Sequence, residues 1–294
     1  MHFNIFHEEL CILKEDSYVP KGCKAQQQGT DMIPGLRKLL VGLTLCSMSL
    51  SSFANEQLRV AFNPSAPWKT FNSQEKAEGV YAEIAKVLAK QLSLQPVFVP
   101  CPLERCLLLL NDGEADLMLG LSDSVSRREY LHFLSTPYRT SAAKVFYVRK
   151  DREFKILRYE DLANRTVIGT KAGALYFERF DNDDELIKSP VLDNQQNFGR
   201  LHKGRIDTFI IAQDQGEFLL SRLDLRDKIE QASFKVAERQ PRYVALAKSS
   251  PLFARVEEFE QAVKALVQDG QLKDILRREF YQRYDIPEDS FTWN

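Results

Sequence analysis

The side chains able to do chemistry are few, and they form no familiar catalytic constellation. The chain holds no Gly-x-Ser-x-Gly elbow, no His-Glu-x-x-His, no phosphate loop ending in Gly-Lys-Ser/Thr and no dinucleotide glycine fingerprint. General acid–base catalysis needs a titratable group aimed at the reacting centre. Beyond the N-terminal segment the histidines are His132, in a strand-edge motif, and His202, near a helix end, leaving Asp123, Asp214 and Glu104 as acid or base candidates. Cys101 and Cys106 sit five residues apart in Cys101-Pro102-Leu103-Glu104-Arg105-Cys106, with no histidine close by. That makes a poor four-ligand zinc site, so the pair is either a disulfide or two free thiols. No metal or cofactor is expected.

The compartment bears on that choice. Arg37 and Lys38 precede an apolar run from Leu39 to Leu50, and Ser52-Phe53-Ala54 supplies a small-x-small cleavage pattern. Basic flank, apolar core and small residues together read as a secretory signal over residues 32–54. Residue 45, before Cys46, is Leu rather than the small residue a lipoprotein signal requires, so simple cleavage after Ala54 is expected. Residues 1–31 show no period and read as a mis-called or disordered extension, with Met32 as the natural start. An exported chain that keeps only Cys101 and Cys106 favours the disulfide.

The elements that must carry these residues follow from composition and period. With 294 residues, 44% apolar, and 40 Lys+Arg against 41 Asp+Glu, the chain is long enough for two lobes with buried cores. A net charge of −1 gives no general attraction to nucleic acid or to anionic lipid. No apolar stretch is long enough for stable membrane insertion.

Leu58–Phe62, Pro96–Val99 and Ala115–Leu119 read as strands separated by helices at Val80–Leu92 and Leu103–Leu110. The rhythm then recurs: strands at 166–169 and 207–211, with a helix expected to open at Gly173. Two short patterns match across the halves, Leu110…Gly113…Asp116 and Leu201…Gly204…Asp207. In each, Gly ends a helix and a buried strand follows. Lys144–Val148 and Pro241–Ala247 are apolar strands at the junctions, and two helices near 252–268 and 271–283 close the chain. The expected fold class is α/β, a first lobe from 55–147 and 241–294 with an inserted second lobe at 148–240. Two crossings between lobes would make a hinge.

The residues also carry a family likeness. The signs are Gly79-Val80-Tyr81-Ala82-Glu83-Ile84 after an aromatic loop, the two Leu-x-x-Gly-x-x-Asp turns, and Arg127-Arg128-Glu129 followed by Leu134-Ser135-Thr136-Pro137-Tyr138. Glu160-Asp161-Leu162 leading to Gly169, and the Asp269-Gly270 break, complete the series. In this order, over Leu58 to Tyr284, the chain resembles the bacterial extracellular solute-binding proteins of family 3, the polar-amino-acid type. The resemblance implies a two-lobed type II periplasmic-binding fold that closes on a ligand held between lobes.

It also implies residues. Arg128, six positions before Leu134, matches the arginine that clamps a ligand carboxylate, a task suited to a planar charged fork; Arg127 is then expected to be solvated. Trp68 and Tyr81 would line the first-lobe wall, although Tyr81 also has core spacing. Leu121, Ser122 and Asp123 follow a strand end where relatives bind polar ligand atoms. Across the cleft, Thr170, Gly173 and Ala174 would open a helix whose N-terminus favours an anion. Ala174 and Leu175 stand where relatives often carry hydroxyls, with Tyr176 a replacement donor. Ala212 stands where relatives place the acid that grips an α-amino group, and Asp214 would substitute only through a re-shaped loop.

The reading is therefore a monomeric periplasmic protein that captures a small polar solute, amino-acid-like or a related organic acid or amine, for an ABC-type transporter permease. The alternatives are a cyclohexadienyl-dehydratase-like enzyme on the same scaffold and a sensory module that presents its ligand to a separate receptor.

Overall fold

A computed structural model describes residues 56–163, 165–237 and 239–286. The expected extension over 1–31 and the export signal over 32–54 lie outside the described residues. In chain order the main elements are β1 (Gln57–Phe62), α1 (Val80–Gln91), β2 (Gln95–Pro100), α2 (Leu103–Asn111), β3 (Leu117–Met118), α3 (Val125–Arg128) and β4 (Leu131–Phe133). There follow β5 (Arg139–Thr140), β6 (Lys144–Arg149), β7 (Val167–Lys171), β8 (Ile187–Val191), α4 (Asn194–His202), β9 (Thr208–Ala212), α5 (Gln213–Arg222) and β10 (Ile229–Val236). Last come β11 (Pro241–Arg242), β12 (Ala245–Ala247), α6 (Val256–Gln268) and α7 (Gln271–Leu276), the last continuing as a π-helical stretch Arg277–Gln282.

The strands form two mixed five-stranded sheets, in the orders β2-β1-β3-β12-β4 and β8-β7-β9-β6-β10. The β1–β2 and β7–β8 pairs are parallel, each the start of a strand–helix–strand unit, whereas β12 and β6 run antiparallel to their neighbours. Alternation along each strand feeds two faces. Leu58, Val60 and Phe62 of β1, Leu117 of β3 and Leu246 of β12 pack with α1, α6 and Phe280, while Ala61, Met118, Ala245 and Ala247 pack with α2 on the other face. In the second sheet Val145, Tyr147, Phe209 and Ile211 face α4 and α5, and Phe146, Val148, Ile168 and Ile210 face Phe180 and Tyr159. Lys144–Arg149, which the expected lobe boundary at 147/148 would divide, is thus a single interior strand of the second sheet, which its unbroken apolar run requires.

The two matching sequence patterns do the same mechanical job. Gly113 and Gly204 take φ +74° and +65° and turn the chain after α2 and α4. Asp116 then accepts a hydrogen bond from the Arg59 N–H at 2.7 Å and donates its own N–H to the Arg59 carbonyl at 2.8 Å. Asp207 repeats this on Val167, at 2.9 and 3.0 Å. Each aspartate fixes a central strand from its side chain and its main chain at once.

Two stretches connect the sheets, and they pair with each other: Arg139–Thr140 lies antiparallel to Pro241–Arg242 as a two-stranded ribbon. The segment expected as one strand, 241–247, is therefore two, β11 in the ribbon and β12 in the first sheet. Cys101 and Cys106 are joined by a disulfide that ties the end of β2 to α2. Among the described residues no helix is long and apolar enough to cross a membrane, and no group of three or more His, Cys, Asp or Glu could hold a metal ion.

Candidate functional site

The carboxyl ends of the parallel strands, where open α/β sheets hold their ligands, converge from both lobes on one cavity of about 150 Å³. From the first lobe, Asn63, Ser65, Trp68 and Lys69 follow β1, Gly120, Leu121 and Ser122 follow β3, and Arg127 comes from α3. The second lobe contributes Lys171, Ala174, Leu175 and Tyr176 after β7, Asn194 at the start of α4, and Ala212, Asp214 and Gln215 at the β9–α5 junction. Arg139 and Arg242 enter from the ribbon, and Lys144 from the first position of β6.

Aromatic rings build the first-lobe wall. Trp68 stacks on Phe280 with centroids 4.6 Å apart, and the Arg139 guanidinium lies 4.2 Å from the Trp68 ring. Tyr81 accepts a hydrogen bond from Arg139 Nη1 at 3.0 Å. Gly120, at φ +88°, passes so close to Tyr81 that a Cβ there would lie 2.8 Å from the ring, and its N–H donates to the Tyr138 hydroxyl. Both expected aromatics, Trp68 and Tyr81, thus serve wall and core together.

Six cations line the cavity against one carboxylate. Arg127, 5% exposed, donates from Nη1 to the Ser122 carbonyl and from Nη2 to the Gly173 carbonyl, each at 2.8 Å; the second bond crosses between lobes. Arg242 donates to the Ser122 hydroxyl at 2.7 Å. Lys69 is buried, donating to Asn63 Oδ1 and to the Leu119 carbonyl, and Lys171 reaches the Pro64 carbonyl at 3.4 Å. Burial pulls Lys69 well below the usual lysine range, helped by the charge of Lys171, and burial lowers Lys171 as well. Lys144 falls to about 7, by burial first and then by the charge of Arg242.

The carboxylate is Asp214. Its Oδ2 accepts from Arg139 Nη2 at 2.9 Å and its Oδ1 from the Gln215 N–H at 2.8 Å. Among the described residues, no carboxylate pairs with Lys69, Arg127, Lys144, Lys171 or Arg242. Gln215 ties the lobes, donating from Nε2 to Ser65 Oγ and the Ala66 carbonyl, both at 2.8 Å. Its Oε1 accepts from Asn194 Nδ2 at 2.9 Å, which leaves Asn194 Oδ1 buried with no protein donor.

Of the sequence-predicted residues, the structure brings Trp68, Tyr81, Leu121, Ser122, Ala174, Tyr176 and Asp214 together around this cavity. Arg128 and Asp123 are elsewhere. Arg128 is exposed and forks onto Asp123, in a surface groove with His132 and Lys248. Its neighbour Arg127, expected to be solvated, is the buried arginine of the cleft. Successive helical residues point about 100° apart, so a one-residue shift exchanges cleft for solvent.

Thr170 is buried and offers its carbonyl to Asn197. The helix expected at Gly173 does not open there; only a short turn, Glu178–Asp181, forms. Gly173 takes φ +71°, and the Asp181 carboxylate accepts the Tyr176 N–H while Tyr176 Oη accepts the Lys171 N–H, holding the segment as a loop. No helix N-terminus therefore faces the cavity from this loop. A Cβ at Gly173 would come within 2.9 Å of Glu104 in α2, so glycine here permits close approach of the lobes.

Lys69, Arg139, Lys144, Lys171, Arg242 and Gln215 were not among the predicted contacts. Lys144, a charge opening an apolar strand, was the one visible sign; the others look in sequence like ordinary surface residues.

Comparison with known proteins agrees with this architecture. The family model "Bacterial extracellular solute-binding proteins, family 3" matches residues 58–282. A mutant of ArgBP from T. maritima superimposes with a TM-score of 0.66 at 18% identity, covering 77% of this chain and 95% of that one. The amino acid ABC transporter substrate-binding protein AbpA from Streptococcus pneumoniae, bound to L-arginine, gives 0.66 at 21% identity, covering 79% and 97%. The ancestral amino acid-binding protein AncCDT-1, a precursor of cyclohexadienyl dehydratase, gives 0.63 at 20%, covering 76% and 95%. A search of curated proteins finds no match. With two lobes about a cleft and a family model matched over most of its length, this chain belongs to the bacterial extracellular solute-binding proteins of family 3.

Proposed function

We propose that this protein captures a small acidic solute between its lobes and delivers it, in the periplasm, to an ABC-type membrane transporter. One observation carries the choice of an acid over an amine: the cavity is lined by five cations that have no carboxylate partner among the described residues, and the acid in its lining, Asp214, is already bound to Arg139. Arg127 is the clamp in this reading, because its planar fork is buried at the cavity and anchored on the backbone of both lobes. The residues at 137–143 and 239–244 would be the hinge crossings, with the paired ribbon setting their spacing. A solute that touches both lobes stabilises the closed form by its differential affinity, and closure is what a transporter can read.

Binding is favoured over catalysis by the same geometry. Asp214 is held as the carboxylate partner of the Arg139 guanidinium and of the Gln215 N–H, His132 lies in the outer groove with Arg128, and His202 is exposed. Neither histidine is aimed at the cavity as a proton donor.

Native mass spectrometry of the purified protein, followed by thermal shift with carboxylic acids and amines, tests this. We expect acids and not amines to raise the melting temperature. Arg127→Ala should weaken the best acid by about a hundredfold, the loss of a charge-assisted bidentate contact. Stabilisation by amines alone, or an unchanged affinity in Arg127→Ala, overturns the reading.

A further inference from the structure

We infer that the cleft is built for a small dianion without an ammonium group, and that Lys69 and Lys171 form the subsite for its second negative charge. This rests on the acidic-solute reading above and narrows it. Four of the six cations that line the cavity fall into two sets. Arg127 and Arg242 both hydrogen bond to Ser122, one to its carbonyl and one to its hydroxyl. Lys69 and Lys171 both bond to the loop after β1, at the adjacent residues Asn63 and Pro64, so that the charge of Lys171 bears on Lys69, while Asp193 bears on Lys171 without pairing with it.

A single carboxylate satisfies one set and leaves the other as buried like charges. Two acidic groups at opposite ends of one molecule satisfy both. The cost of burying an unpaired charge is the reason such a pair of lysines needs an anion between them.

The same site refuses an ammonium. The acceptors that face the cavity already serve other donors, most of them cationic: Asp214 binds Arg139 and the Gln215 N–H, the Ser122 and Gly173 carbonyls bind Arg127, and Asn63 Oδ1 and the Leu119 carbonyl bind Lys69. The unpartnered Asn194 Oδ1 is neutral and does not offset the surrounding positive charge. Ala212 adds no charge. Size narrows the class further, since a protein cavity near 150 Å³ holds about six to eight non-hydrogen atoms. That fits dicarboxylates of about three or four carbons.

The test is isothermal titration of the purified protein with four sets: malonate and succinate; propionate and butyrate, which match them in carbon number; aspartate and glutamate; and arginine. We expect at least one dianion to bind ten or more times more tightly than every member of the other sets. Lys171→Met should reduce dianion affinity at least tenfold while the melting temperature without added solute stays equal or rises, because a buried charge has been removed. A purely structural lysine would lower that temperature instead.

An amino acid or monocarboxylate binding as tightly as any dianion overturns the dianion subsite but leaves capture of an acid standing. So does a dianion affinity indifferent to Lys171→Met. Arginine binding tightest overturns both. Silence from all four sets, with no small molecule in the native mass spectrum, overturns solute capture itself.

Discussion

The outer surface and the cleft treat basic residues in opposite ways. Outside, Arg149 meets Asp151 at 2.6 Å, Arg179 meets Glu160 at 3.0 Å, and Arg255 meets Glu258 at 2.8 Å, all with at least one exposed partner. Pairs of this kind contribute about 0–1 kcal/mol each and weaken with salt. Among the described residues lining the cleft, Arg139 pairs with a carboxylate, whereas Lys69, Arg127, Lys171 and Arg242 are held by carbonyls, one hydroxyl and an amide. A chain whose formal charge is −1 has thus set its positive charge apart where water is scarcest. Such an arrangement costs stability. The cleft's field, not the net charge, is what a passing solute meets.

The sharpest way to break the contrast is to remove the acid that lines the cavity, Asp214. Asp214→Asn keeps the shape and one acceptor but takes the counter-charge from Arg139, which lies in the field of Arg242 and Lys144. Breaking a buried pair from one side costs about 3 kcal/mol or more, which for a domain of this size lowers the melting temperature by about 10 °C. Differential scanning calorimetry of wild type and variant measures it. A change below about 1 kcal/mol would make the Arg139–Asp214 pair no different from those on the surface.

A smaller effect comes from pH. Lys144 loses its proton near pH 7 in the folded protein, and the charges bearing on it are Arg242 and Arg139, which lower it, and Asp214 and Asp181, which raise it. In the unfolded chain it holds that proton to about pH 10.4. Between these values the unfolded state binds more protons, so this lysine makes the protein without added solute more stable as pH rises above 7. Anion binding has the opposite sign, because an anion favours the protonated lysine. Affinity should be flat below about pH 7 and fall by up to about tenfold per pH unit above it. Titrations at about pH 6.5, 7.5 and 8.5 read the slope, and Lys144→Met should flatten it. An affinity that rises with pH would mean that the cleft does not bind its solute through positive charge.

The sequence made the scaffold legible because the scaffold obeys local periods. Leu58, Val60 and Phe62 alternate, Val80, Ile84 and Leu88 recur at helical spacing, and Gly113 and Gly204 mark turns that only a left-handed residue takes easily. The loops that meet at the cavity could be listed from strand ends alone. The cations could not. Arg139 and Arg242 become neighbours only because two stretches about a hundred residues apart pair as a ribbon, a non-local contact no window of sequence contains. The helix read into Gly173 failed for a related reason: Tyr176 and Asp181 take the backbone N–H groups that a new helix would leave free, and neither bond has a periodic signature.

Arg127 and Arg128 give the finest test, since they are adjacent, chemically identical and differ only in the direction the short helix α3 sends them. Arg128 is held by Asp123 at 2.7 Å in open solvent, and its own carbonyl accepts from Lys248. Truncating it removes an exposed pair of negligible to modest worth and leaves the Arg127 bonds to Ser122 and Gly173 in place. Arg128→Ala should therefore change solute affinity less than about twofold and stability by less than about 0.5 kcal/mol, against the roughly hundredfold loss expected for Arg127→Ala. Titration of both variants with the same acid measures the ratio. If Arg128→Ala proved the more damaging, the solute would be held in the groove beside His132 and Lys248, and the cationic cavity would be a structural feature of the closed lobes alone.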